Sequence, residues 1–328
     1  MELIKLLQTQ CPLKIVYLRV PDDFDFRSNN GKSRYLTLLE FKNLTSFTLL
    51  FDHSLPGDGD LKLLEPLKTI AVNSPMLKDL ALNFKYMPVT LEHVISSLGV
   101  DFTLPCLEGF HLSGCPDSDS EWGNMRLPRP PGNGAGQFQA FISRHPRLEE
   151  LEINCPFFPE FRADFDPGVL ARGLPELTLF SGPYFLCQHI LHSRIAEQIC
   201  DLTISNWEPE LIDPNEDLAD ERYLPELQRL AIELENIPIA KKILNTVLLA
   251  AEGLDNLHTP AMHQQYHEDF LKLLTFTPEL QYICLWNYDS YMNADDAPVP
   301  SGFNRTELVA AIQNIFPEVV IECLGDWN

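Results

Sequence analysis

A short apolar phrase, Leu-x-x-Leu-x-Leu, recurs along the whole chain of 328 residues. In its clearest copies a proline stands two residues ahead of the first leucine, as Pro75 stands before Leu77 and Pro146 before Leu148. The copies, some of them degraded, begin at Leu13, Leu44, Leu77, Leu107, Leu148, Leu177, Ile199, Leu227, Leu254, Leu280 and Val319, at intervals of 22 to 41 residues. Self-similarity at such a period is typical of stacked repeat architectures. We therefore expect one repeat domain over residues 1–328, with about ten to eleven irregular repeats.

Each phrase predicts a short β-strand, because its last two apolar residues alternate as a half-buried strand requires. The preceding proline disfavours helix in the residue before it, so it ends whatever helix comes first. Apolar residues at offsets of three and four then predict helices between the phrases, over 91–98, 138–142, 243–251 and 308–316. Stacking such units buries one continuous core with the strands in parallel. The predicted fold is α/β: a horseshoe-shaped solenoid with a parallel concave sheet and convex helices.

The phrase and its lead-ins, Ser74-Pro75, His145-Pro146 and Thr277-Pro278, resemble the leucine-rich-repeat family. More narrowly, they are similar to the irregular long-repeat solenoids that follow the F-box in many fungal F-box proteins. The Asn/Cys ladder of the leucine-rich repeats is matched at Cys115 alone. The resemblance implies a protein-binding solenoid, the substrate-recognition part of a ubiquitin-ligase adaptor. Only residues 1–12 precede the first phrase, so we expect the F-box itself to be absent and carry over no ligase-docking residue.

Composition narrows the class of partner. The chain is 45% hydrophobic, which allows a large core, and its 24 basic against 47 acidic residues give a formal net charge of −23. That charge has the wrong sign for nucleic acid or an anionic membrane, so we expect neither. The most apolar stretch, 243–251, is much shorter than the ~20 residues that span a bilayer. Glu2 and Lys5 interrupt the apolar N-terminus, which argues against a secretion signal and favours the cytoplasm or nucleus.

Acidic or Pro/Gly-rich loop insertions follow several of the predicted strands, near residues 20–34, 52–60, 115–136, 207–223 and 287–304. Loops that leave the same end of parallel strands should project from one rim of the solenoid. The most acidic segment holds seven acids and no base: Glu208, Glu210, Asp213, Glu216, Asp217, Asp220 and Glu221. This acidic rim would either steer a partner with a basic surface or only keep the protein soluble.

The strand positions that flank the inward apolar residues should line the concave face and contact a partner. These positions are Tyr17, Arg19, Asp79, Asn83, His111, Glu150, Glu152, Arg229, Glu233, Tyr282 and Trp286. Aromatic residues are enriched at interface anchors, so Tyr17, Tyr282 and Trp286 are the preferred binding candidates. The alternative is that Tyr17 and Trp286 simply pack on neighbouring loops.

Other motifs give weak signals. Gly132, Gly134 and Gly136 form G-x-G-x-G without a preceding strand or a following Gly-Lys-Ser/Thr, so a flexible loop is favoured over a phosphate site. Residues 128–131 match P-x-x-P, a pattern that proline-bearing loops often contain by chance.

Catalytic and metal motifs are equally weak. His263 and His267 stand four apart near His258, but without an H-E-x-x-H motif. We therefore expect no catalysis, no cofactor and no metal. Two alternatives remain: a hydrolase that uses an acid pair or the His258 to His267 cluster, and a scaffold that assembles with itself through Trp286.

Overall fold

The chain divides into two compact units, Met1–Leu177 and Thr178–Asn328. The computed structural model describes residues 7, 11–20, 41–51, 64–84, 89–99, 101–114, 134–155, 157, 159–166, 168–205, 224–234, 237–262, 264–286 and 305–324. Most of the predicted loop insertions, and all seven residues of the acidic rim, lie outside this described part. One uninterrupted solenoid over residues 1–328 stays a prediction.

The first unit alternates strands with helices. Its described elements are β1 Ile15–Val20, β2 Ser46–Phe51, α1 Glu65–Asn73, β3 Asp79–Phe84, α2 Leu91–Leu98, β4 Gly109–Ser113, α3 Gly134–Arg144, β5 Glu150–Asn154, α4 Pro159–Asp164 and α5 Gly168–Gly173. Each strand pairs in parallel with the next one along the chain.

The second unit repeats this arrangement. Its described elements are β6 Leu179–Pro183, α6 Tyr184–Leu191, a 3₁₀ helix Arg194–Glu197, β7 Asp201–Ser205, β8 Arg229–Glu233, α7 Ile237–Ala250, β9 Asn256–Pro260, a 3₁₀ helix Gln264–Tyr266, α8 His267–Leu274, β10 Tyr282–Trp286, α9 Arg305–Ile315 and β11 Val320–Leu324. Its strands also pair in parallel, in chain order. None of the described helices is long and apolar enough to cross a membrane.

The predicted strands and helices are confirmed wherever the structure describes them. A strand begins within or just after each of the eleven phrase copies. The second and third apolar residues of a phrase, such as Leu80 and Leu82, lie in the strand and are buried in most copies. The helix patterns over 91–98 and 243–251 likewise bury their apolar sides. The α/β class and the parallel strand order are consistent with a solenoid of the leucine-rich-repeat kind, whereas the horseshoe shape stays a prediction.

The proline of each lead-in has a specific place in a tight turn. In the first unit the Leu77 N–H donates to the Ser74 carbonyl at 3.0 Å, and the Leu148 N–H donates to the His145 carbonyl at 3.2 Å. Pro75 and Pro146 are therefore the second residues of four-residue turns, the position that the fixed φ of proline favours. The turn carries the chain from the end of a helix into the next strand.

A second backbone pattern ties each repeat to the one before it. The carbonyl of Lys78, just ahead of β3, accepts the N–H groups of Glu108 at 2.8 Å and Gly109 at 2.9 Å, at the start of β4. The carbonyl of Glu108 accepts from Glu149 and Glu150 in the same way. In the second unit the pattern returns at Thr178, Cys200, Gln228 and Asp255. These paired hydrogen bonds fix the register of successive strands.

Three lead-in residues are buried polar groups, and each finds a hydrogen-bond partner, as burial demands. The Ser74 hydroxyl accepts the Leu44 N–H at 3.1 Å, and the Thr277 hydroxyl donates to the Leu274 carbonyl at 2.9 Å. His145 Nε2 accepts the Leu104 N–H at 2.9 Å, 41 residues away in sequence, while Nδ1 donates to the Phe141 carbonyl at 2.7 Å. The neutral imidazole of His145 thus holds two neighbouring repeats together.

We predict that acid weakens the fold through His145. Burial, with a smaller contribution from the charge of Arg144, lowers the pKa of His145 from 6.5 to about 4, and a protonated ring could no longer accept the Leu104 N–H. The stabilisation is therefore complete above pH 6.5 and is lost as the pH falls toward 4, by up to about 3 kcal/mol. Urea unfolding of the native chain and of His145→Gln at several pH values measures this loss, because glutamine gains no proton.

The matched control for this experiment is His192→Gln, which removes an exposed histidine. It should lose the same stability on acidification as the native chain, whereas His145→Gln should lose less. Equal losses in all three proteins would contradict the assignment of this role to His145.

Candidate functional site

The register of the first unit arranges its outward side chains, those that alternate with the buried ones, in three rows across the strands. The first row is Ile15, Ser46, Asp79, Gly109 and Glu150. The second row is Tyr17, Thr48, Ala81, His111 and Glu152. The third row is Arg19, Leu50, Asn83, Ser113 and Asn154. Every concave-face residue predicted in this half of the chain therefore lies on one surface, the outward face of the first unit.

At the β3–β5 end of this face His111 lies among carboxylates. Its Nδ1 is 3.2 Å from Glu152 Oε2, and its Nε2 is 3.4 Å from Glu150 Oε2. An added Cβ at Gly109 would lie 3.1 Å from Asp79 Oδ1 and 3.2 Å from His111 Nε2, so glycine lets these two groups approach each other. We call Asp79, His111, Glu150 and Glu152 the acidic patch.

Two further side chains hold Glu152 in place. Asn154 Nδ2 donates to Glu152 Oε1 at 2.9 Å, and the Ser113 hydroxyl donates to the same oxygen at 3.4 Å. The hydrogen bond with His111 lowers the pKa of Glu152, and the same bond raises the pKa of His111 against the opposing effect of burial. Asp79 and Glu150 add to the rise at His111 through their charge. The arrangement therefore favours the ionised form of Glu152 and the protonated form of His111.

A separate set of charges lies where the strands begin. Glu108 pairs with Lys78 Nζ at 2.9 Å and with Arg147 Nη2 at 3.0 Å, and all three residues precede the strands. Lys78 and Arg147 are thus engaged with Glu108, outside the rows of the outward face.

At the opposite end of the first unit, Ile15 and Tyr17 on β1 are 71% and 61% exposed, so Tyr17 is accessible as an anchor candidate requires.

The second unit presents a different outward face. Its predicted residues pair with their neighbours: Arg229 Nη1 lies 2.9 Å from Asp201 Oδ2, and the Tyr282 hydroxyl donates to Glu322. The Trp286 indole N–H donates to the Ile232 carbonyl at 3.1 Å. The side chain of Trp286 on β10 therefore reaches past β9 to β8. Glu233 is exposed at the end of β8. The proposed anchors Tyr282 and Trp286 are thus engaged within the unit.

The alternation of apolar and polar residues in the sequence did not predict several of the residues that form these outward faces. Ser113 and Asn154 in the first unit, and Asp201, His258 and Glu322 in the second, stand at outward positions but were missed. Extending each strand by one more outward residue would have found Ser113 and Asn154. Glu322 lies in the weakest phrase copy, where the apolar pattern is too degraded to mark the outward positions.

The motifs with weak sequence signals lie only partly within the described residues. Gly134 and Gly136 lie in the first turn of α3, while Gly132 and the P-x-x-P segment are outside the described residues. His258 lies on β9 and His267 opens α8, where its Nε2 donates to the Met262 carbonyl at 2.9 Å; His263 is outside the described part. No group of three or more His, Cys, Asp or Glu in the described chain could hold a metal ion.

Distant likenesses to this chain exist among solved structures. No family model matches the chain. No curated protein matches it. Among solved structures, the chain is similar to one in the crystal structure of the Rad7 and Elc1 complex from yeast, with 15% sequence identity over 99% of this chain and 87% of that chain and a TM-score of 0.29. A TM-score this low carries no argument, so the solenoid-like assignment rests on the parallel strands and the proline-led turns of the chain itself.

We predict that Glu152→Gln lowers the pKa of His111 toward its ordinary value of 6.5, because the hydrogen bond with the Glu152 carboxylate is the largest cause of the rise. NMR titration of the His111 ring measures this change directly. Glu176→Gln, which removes an exposed carboxylate from the same unit, should leave the titration of His111 as it is in the native chain. An unchanged His111 titration in Glu152→Gln would contradict the geometry of the acidic patch.

Proposed function

We propose that this chain is a non-catalytic protein-interaction module, and that its acidic patch binds a basic segment of another protein. The observation that carries the proposal is the convergence of Asp79, Glu150 and Glu152 on one outward surface, held by strands of fixed register. Glu150 is half exposed, and Glu152 is about one-third exposed. A lysine or arginine side chain could therefore reach both glutamate carboxylates from the same side.

The charge of the whole chain supports the same proposal. With a formal net charge of −23, the protein attracts a cationic segment over long range, and this attraction weakens as salt shortens the screening length to ~10 Å at 0.1 M. Seven of the 47 acidic residues behind this charge lie in the acidic rim of residues 208–221. Charge complementarity of this kind speeds association and selects the sign of the partner.

The double variant Glu150→Gln/Glu152→Gln tests the patch as a binding site. We expect it to weaken binding of a lysine-rich peptide on the order of tenfold at low salt, because each partly exposed charge contributes up to about 1 kcal/mol. Isothermal titration calorimetry at two salt concentrations measures the change in Kd. The matched control, Asp101→Asn/Glu176→Gln, removes the same charge from exposed positions of the first unit that lie outside its strands. Equal weakening in both variants would contradict a specific patch and leave only a general charge effect.

We also propose a narrower role, recognition of a substrate for a ubiquitin ligase of the F-box type. The support is the likeness of the proline-led leucine phrases to the repeat region of fungal F-box proteins. A pull-down with the full-length gene product tests this role: the role requires that the product retain the adaptor subunit of the ligase, although no docking residue is carried over to residues 1–328. If the product retains the adaptor no better than an unrelated acidic protein does, the ubiquitin role is wrong and the general binding role is unaffected.

A further inference from the structure

The carboxylates around His111 favour one of its protonation states. Both ring nitrogens face carboxylate oxygens, Nδ1 at 3.2 Å from Glu152 and Nε2 at 3.4 Å from Glu150. A neutral imidazole has one N–H and one bare nitrogen, so it can donate to one of these acceptors and must present a lone pair to the other. The imidazolium ion keeps the hydrogen bond from Nδ1 to Glu152 and places a positive charge 3.4 Å from Glu150, with which it forms an ion pair. The geometry therefore favours the charged ring.

Among the described residues, the charged groups that act on this ring are all acidic. Glu150 and Glu152 reach it from β5, and Asp79 reaches it from β3. Ser113 on its own strand and Asn154 on β5, both uncharged, donate hydrogen bonds to Glu152. Protonated His111 is thus a cation that belongs to the protein and already occupies the position that a partner's lysine or arginine would take.

We propose that His111 acts as an internal competitor for the acidic patch, so that the protein binds a basic segment more tightly when His111 is deprotonated. This inference rests on the proposed function, since it describes how binding at the same patch is regulated. When the ring loses its proton, the patch gains one net negative charge and Glu150 and Glu152 become available to an incoming cation. The coupling is reciprocal, so a bound basic segment also drives the proton off His111.

The pH range of the effect follows from the surroundings of the ring. The hydrogen bond with Glu152, helped by the charges of Glu152, Glu150 and Asp79, raises the pKa of His111 above 6.5. Protonation of His111 therefore changes at a pH above 6.5, while ordinary lysine and arginine side chains of a partner keep their charge to a pH of about 10. Affinity for a basic segment should rise with pH across this range.

The test uses the full chain and an acetylated, amidated oligolysine peptide of about ten residues, whose lysines stay charged at and around neutral pH. Calorimetry at constant ionic strength, in buffers of different ionisation enthalpy, gives both the Kd and the number of protons released. We expect the native chain to bind on the order of fivefold more tightly at about pH 8 than at about pH 6, with proton release on binding near neutral pH. His111→Gln should bind with nearly the same Kd at both pH values and release no proton.

A matched control separates His111 from histidines in general. His258 also stands in the second outward position of its strand, but burial and the charge of Arg229 lower its pKa and so favour its neutral form, the opposite of the effect at His111. His258→Gln should keep the pH dependence of the native chain.

The outcomes distinguish this inference from the function on which it rests. If the native chain and His111→Gln bind the peptide with the same pH dependence, the competitor role is wrong and the binding function stands. If neither protein binds the peptide at either pH, the proposed function is wrong and the competitor role falls with it. Tighter binding by the native chain at the lower pH would also overturn the competitor role, because its sign would be reversed.

Discussion

The structure depends on a hydrogen-bonding constraint at the entry to each strand. In nearly every repeat pair, one carbonyl, such as that of Lys78, accepts two consecutive N–H groups of the next repeat. A βα unit of this size cannot bury its apolar side alone, so its strand must be held in register against its neighbours. Because the constraint acts only on the turn and the strand start, the residues between strands can vary in number. Repeat intervals of 22 to 41 residues are therefore compatible with one regular pairing.

Fixed register also determines which distant side chains meet. Residues at equivalent positions of successive strands form a row, so His111 of β4 lies beside Glu152 of β5, although 41 residues separate them. The two units use such rows differently. In the first unit the carboxylates of the acidic patch surround a histidine, whereas in the second unit Arg229 and Tyr282 engage the carboxylates beside them. The same backbone plan thus yields two outward faces of different chemistry.

Periodic features of the chain were predictable from the sequence, and features set by long-range contact were not. The alternation of Leu80 and Leu82 predicted a strand, and Pro75 predicted the helix end before it. A histidine visibly precedes Pro146, but its partner Leu104 is 41 residues away and no local pattern points to it. Likewise, alternation placed Trp286 on an outward face, but only the register of β8, β9 and β10 brings its indole to the Ile232 carbonyl.

Parallel pairing of successive leucine phrases, with His111 aligned between Ala81 and Glu152, underlies both the fold and the acidic patch. Interstrand nuclear Overhauser effects in the first unit measure this pairing. We expect contacts between the backbone protons of Thr48, Ala81, His111 and Glu152, taken in that order from one strand to the next. Contacts of antiparallel pairing, a register shifted by one residue, or helical contacts within the leucine phrases would contradict it.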